Sequence, residues 1–79
     1  MEQNFNLYKH IIEVVDTQIK ENNPPFVKET YDRLIENGDD ESTAKEKIAS
    51  VIAEEIYIYL KEEKKVNEER YAEKLSQLA

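Results

Sequence analysis

The sequence predicts an all-α fold, a compact bundle of four helices with short connections, and two observations carry that prediction. Apolar residues recur at spacings of three and four along most of the chain, the period of a helix that buries one face, and nowhere do they alternate with the period of two that a half-buried strand requires. One glycine and two prolines in 79 residues leave an all-β architecture short of turn residues. The length fits one domain, residues 1–79. With 39% hydrophobic residues the chain can build a core, although a domain this small buries only about 60% of its unfolded surface.

The first helix is predicted over residues 6–22, where Tyr8, Ile11, Ile12, Val15 and Ile19 form one stripe. Asn4 or Asn6 is the expected cap. The helix must stop before Asn23, because the residue preceding a proline is driven out of the helical region. Asn23 is then expected to cap the second helix, with Pro24 at its first position, where a missing N–H is harmless. That helix runs to Asn37 and is expected to bury Val27, Tyr31, Leu34 and Ile35. Gly38, the only glycine, stands where a left-handed C-terminal cap is expected.

Asp39 and Asp40 follow, either of which can accept from the free amides of a third helix and face the positive end of its dipole. Ala44, Ile48, Val51, Ile52, Ile56, Tyr59 and Leu60 make its broad stripe, and Ala49 with Ala53 gives a narrow flank for a close neighbour. This is the expected central helix. The charged run at 61–65 ends it, Val66 and Tyr71 have the spacing of a hydrophobic staple around an Asn67 cap, and the fourth helix is expected to bury Tyr71, Leu75 and Leu78. No repeat or flexible linker divides the chain, and the Pro24-Pro25 corner favours an oblique crossing.

Composition narrows the function. Eleven Lys and Arg against eighteen Asp and Glu give a net charge of −7, which opposes the counterion release that drives nucleic-acid binding. No nucleic-acid partner is expected, and the mixed signs at 61–65 read as a solvated helix end. No membrane partner, membrane span or signal peptide is expected, since the N-terminus has no basic stretch leading into an apolar one. The absence of cysteine removes thiolate chemistry and suits a reducing cytoplasm.

Nucleophilic catalysis needs a nucleophile, a base and an orienting group, and the only histidine is His10, at the edge of the first stripe. Packing of its ring with a hydrogen bond at its tip is the expected role. A metal site drawing on His10, Glu13, Asp16, Glu54 and Glu55 would need the paired Glu-x-x-His elements of a di-metal bundle, which the chain lacks. The Asp39-Asp40-Glu41 cluster lacks the alternating ligands and internal glycine of a calcium loop, and capping explains it. No catalytic residue, metal ligand or cofactor is therefore expected. Tyr57 and Ile58 fall off the main stripe of the third helix and are the candidate contact surface. Projected at 100° per residue, Gln18 and Glu55 point toward the core. There they either lay their methylenes on its margin with the polar end in water, or are buried and satisfied by each other, by a tyrosine hydroxyl or by the open amides near the Asn23 corner.

The order Gln18-Ile19, Asn22-Asn23-Pro24-Pro25, a short helix closing on Gly38, then Ala44, Ile48, Ala53-Glu54-Glu55-Ile56-Tyr57, and Glu69-x-Tyr71 with Leu75 and Leu78, resembles a small bacterial helical domain. It is similar to the C-terminal half of domain of unknown function family 1841, over about three quarters of the chain. The chain lacks that family's longer N-terminal portion and has one histidine where the family pattern often has two. The resemblance implies a helical fold and a bacterial source, and no activity. Leu34-Ile35-x-x-Gly38 with Ala44 and Ile48 is also similar to the first loop and second helix of ubiquitin-associated-like domains, but Asp39 stands where those carry an apolar or aromatic contact residue.

The expectation is thus a non-enzymatic protein-interaction or structural module of a bacterial cytoplasm, with a protein partner or self-association. The alternative is an enzyme or metal-binding helical protein using His10 with the acidic residues of the first and third helices.

Overall fold

The computed structural model describes residues 7–62 and 67–78. Among them are four α-helices and no strand: α1 (Leu7–Glu21), α2 (Pro25–Glu36), α3 (Glu41–Glu62) and α4 (Glu68–Ser76). The proposed caps at Asn4 and Asn6, and Val66 of the proposed staple, lie outside the described residues.

Two helix ends share one device. At the end of α2, Gly38 N–H bonds to Ile35 O and Asp39 N–H to Leu34 O, both at 3.0 Å, with Gly38 at a φ of 110°. These are the two bonds of a Schellman closure, which needs a residue with positive φ. At the end of α1, Asn22 N–H bonds to Ile19 O at 3.2 Å and Asn23 N–H to Gln18 O at 3.1 Å, with Asn22 at a φ of 53°. Asparagine tolerates that region better than other side chains do. This closure moves the corner by one residue from its expected place. Asn23 is occupied by the end of α1, the extended Pro24 precedes α2 as its cap residue without a side-chain bond, and Pro25 takes the first helical turn. The expected Asn23 cap is therefore not formed. The Asn23–Pro24 peptide bond is cis.

The other two starts are capped as the sequence suggests. Asp40 Oδ1 accepts from Thr43 N–H at 2.7 Å, and Asn67 Oδ1 accepts from Arg70 N–H at 3.0 Å. The Thr43 amide holds the Asp40 carboxyl below the usual range. Asp39 instead pairs with Lys47 at 2.8 Å.

The core consists of Ile11 and Val15 of α1, Val27 and Leu34 of α2, Ala44, Ile48, Ala49, Val51 and Ile52 of α3, and Tyr71 and Leu75 of α4. Helix α3 packs against each of the other three and is the central helix. Its stripe is shorter than its pattern: Tyr59 and Leu60 are exposed, because the buried segment ends near Ile56. On α2, Ile35 is exposed and Tyr31 half-buried, while Thr30 is buried and donates its hydroxyl to Phe26 O at 2.8 Å. That local bond satisfies the hydroxyl and lets a threonine occupy a core position. Leu78 lies beyond α4 and is half-buried.

Gly38→Ala forces a side chain into a left-handed position, and Asn67→Ala orphans an amide, so each should lower the unfolding free energy by about 1 kcal/mol. Asn23→Ala should change it by less than about 0.5 kcal/mol. Equilibrium urea unfolding of the three variants checks the reassigned corner, and a large loss at Asn23 would contradict it.

Candidate functional site

The polar centre of the molecule lies where α1, α3 and α4 meet. Glu55 sits on the core face of α3, three and four residues on from Ile52 and Val51, and is 2% exposed. An ionised carboxylate at that depth requires charged partners. Arg70 supplies them as a fork: its Nε lies 2.9 Å from Oε2 and 3.2 Å from Oε1, and its Nη2 lies 2.7 Å from Oε1. Lys74, one turn along α4, stands 3.5 Å from Glu55 Oε2 and 3.0 Å from Glu54 Oε1. The Arg70 hydrogen bonds hold the Glu55 carboxyl below its usual range, against desolvation, with the charges of Arg70 and Lys74 adding to the effect.

Tyr71, beside Arg70, turns into the core and stacks edge-on against Phe26 with ring centroids 5.3 Å apart. Its hydroxyl donates to Gln18 Oε1 at 3.0 Å, which joins α4 to α1. Burial raises the Tyr71 phenol above its usual range. Gln18 Oε1 and the Glu55 carboxylate thus both have partners, Gln18 in a tyrosine hydroxyl, one of the three partners its position allows. Gln18 is half-buried rather than buried, and Glu55 is met by Arg70, which the reading of the sequence missed. The usable signal was compositional: a carboxylate on the core stripe demands a cation, and Arg70 and Lys74 share one face of the last helix at a spacing of four.

A further arginine ties α4 to α2. Arg33 donates through Nη1 to Leu78 O at 2.6 Å and through Nη2 to Leu75 O at 2.9 Å, satisfying carbonyls at the open end of α4. Both ends of α4 are therefore held by arginine side chains.

Between these groups lies a cleft of about 170 Å³ lined by Gln18, Ile52, Glu55, Ile56 and Tyr71. It has two apolar walls, but its carboxylate is already taken by Arg70. A wider depression of about 430 Å³ is formed by Glu29, Asp32, Arg33, Ile35 and Glu36, all from α2. A single helix surface offers no opposite wall to enclose a ligand.

His10 is exposed on α1, with its Nδ1 3.7 Å from Glu13 Oε1, and the two line a shallow depression with Val14, Thr17 and Gln18. The expected packing of its ring at the edge of the core is not seen. The carboxylates that would join it lie with cations instead: Asp16 with Lys45 at 2.8 Å, Glu54 with Lys74, and Glu55 with Arg70. Among the described residues no three His, Asp or Glu side chains gather where they could hold a metal ion, and no helix is long and apolar enough to cross a membrane.

The candidate contact residues sit on the distal turns of α3. Tyr57 is 61% exposed, and Ile58 is half-buried. Tyr59 and Leu60, which the sequence pattern places on the core stripe, are exposed instead: Leu60 lies about 60° from Tyr57 around the helix and shares its surface, whereas Tyr59 lies about 200° from it and faces the other side. Lys61 Nζ lies 5.6 Å from the Tyr57 ring centroid and donates to its hydroxyl at 3.5 Å. No family model, curated protein or solved structure matches the chain.

The depressed Glu55 carboxyl sets a pH dependence. Its folded-state pKa is below that of the unfolded chain, so its contribution is present above the ordinary carboxylate range and is lost as pH falls below that range through the depressed folded-state pKa. At neutral pH Glu55→Ala should cost about 1 to 3 kcal/mol of stability, against less than about 0.5 kcal/mol for the exposed Glu73→Ala. Glu55→Gln should also flatten the loss of stability on acidification. Urea unfolding from neutral pH to below that range measures both, and equal pH profiles for wild type and Glu55→Gln would contradict the assignment.

Proposed function

We propose that the domain is a non-enzymatic protein-interaction module that engages its partner through the distal end of α3. The observation that carries this reading is the exposure there of two large side chains on one side of the helix, Tyr57 and Leu60, at 61% and 69%. Aromatic residues at interfaces supply wide contact area with few rotamers to freeze and a polar handle at the tip, and they are enriched among residues that dominate binding. The rest of the helix gives those side chains a rigid base, since the preceding turns of α3 are packed on all three other helices.

The polar centre at Glu55 supports a structural role in the same reading. Its hydrogen-bonding capacity is spent inside the protein, on Arg70 and Lys74, which fixes the position of α4 against the base of the exposed segment. The net charge of −7 favours a protein over a nucleic acid as the partner. A cysteine-free chain and its likeness to a bacterial family make the bacterial cytoplasm the proposed setting.

Photo-crosslinking in the producing cell tests the proposal. With p-benzoylphenylalanine in place of Tyr57 the chain should form discrete protein adducts, and with the same residue in place of Glu29 on α2 it should form none. Absence of adducts from both Tyr57 and Leu60 positions would overturn it.

A further inference from the structure

The outer face of α3 carries a pattern that is complementary to itself. At 100° per residue Glu54, Tyr57, Leu60 and Lys61 share the side of the helix away from the buried Ile48, Val51 and Glu55, and Ala53, half-buried against the core, lies at its edge. Tyr57 lies at the middle of this face. On one flank a large residue, Leu60, follows a small one, Ala53; on the other a cation, Lys61, follows an anion, Glu54.

Two helices laid antiparallel bring like flanks together and reverse their order. A two-fold axis beside Tyr57 would then set Leu60 of each copy against Ala53 of the other, and Lys61 against Glu54 of the other, with the two Tyr57 rings adjacent. Parallel pairing would instead bring unlike flanks together, setting Leu60 beside the Lys61 of the other copy and Ala53 beside its Glu54, with no charge pair across the axis. Both charged groups stand at the surface: Glu54 is 56% exposed where it meets Lys74, and Lys61 lies over the Tyr57 ring.

We propose that the occupant of this face is a second copy of the same chain, bound antiparallel through Ala53, Glu54, Tyr57, Leu60 and Lys61. The inference rests on the interaction reading above and names its partner. The contact spans nine residues, or about 14 Å of helix at a rise of about 1.5 Å each, which places it below the area of a standard stable complex. The dimer is therefore weak and exchanges rapidly. Opposite charges across the axis fix its orientation more than its strength.

Sedimentation equilibrium of the full chain, from about 0.05 to 1 mM, the range where a weak contact populates, tests the pairing. The mass should rise toward that of a dimer with concentration. Lys61→Glu should weaken association by about tenfold or more, and Glu54→Lys with Lys61→Glu should restore it to within about threefold, because the reversed pair attracts again. Leu60→Ser, at a side chain outside the core, should weaken it without touching the charges, and far-UV circular dichroism confirms that each variant is folded. A monomeric mass at every concentration overturns the pairing, as does a dimer that the charge reversals leave unchanged. If the chain stays monomeric yet crosslinks from Tyr57 to a different protein, the pairing falls and the interaction reading stands. A monomer without crosslinks removes both.

Discussion

The placement of a carboxylate inside the core, at Glu55, is the constraint on which the C-terminal third of the structure depends. Helix α4 is short and polar, and it gives the core two side chains, Tyr71 and Leu75. Apolar burial alone leaves such a helix free to slide or rotate by a turn, since the hydrophobic effect has little directional content. The Arg70 fork does have direction: two donors aligned on two acceptors fix both the height and the rotation of α4 against α3. Arg70 is fixed in turn by its own backbone, whose amide is the one capped by Asn67. The cap at Asn67, the fork at Arg70 and the inward Tyr71 lie within about one turn of one another and act as one unit.

Much of the fold is legible in the sequence because single residues carry local rules. Gly38 marks the end of α2 through its positive φ, and Asp40 and Asn67 mark helix starts through a side-chain oxygen three residues before an amide. The double-proline corner is less legible because two local rules compete for the same asparagines. Asn22 supplies a left-handed cap and the Asn23 amide completes it, which leaves Pro24 to lead the next helix. Either asparagine satisfies a capping rule by itself, and only the closure of the preceding helix decides between them.

The polar centre was half legible. Helical projection identifies Glu55 and Gln18 as inward-facing, since it depends on one helix at a time. Their partners belong to a helix 15 and 53 residues away, and its register is set by tertiary packing that periodicity does not encode. Periodicity also says nothing of where a partner helix stops. The stripe of α3 therefore continues through Tyr59 and Leu60, beyond the helices that cover it, and the excess becomes exposed apolar surface. A helix longer than its coverage thus yields both a rigid core and a contact face: its inner turns bury Glu55, and its outer turns present Tyr57 and Leu60.

The claim that Glu55 fixes α4 is tested most directly by native-state hydrogen exchange of wild type and Glu55→Gln under identical conditions. If the carboxylate is what holds α4, its amides should exchange at least about tenfold faster in the variant, while those of α1 and α2 retain most of their protection, the signature of a local opening. Protection lost equally in all four helices, or unchanged in α4, would contradict the claim.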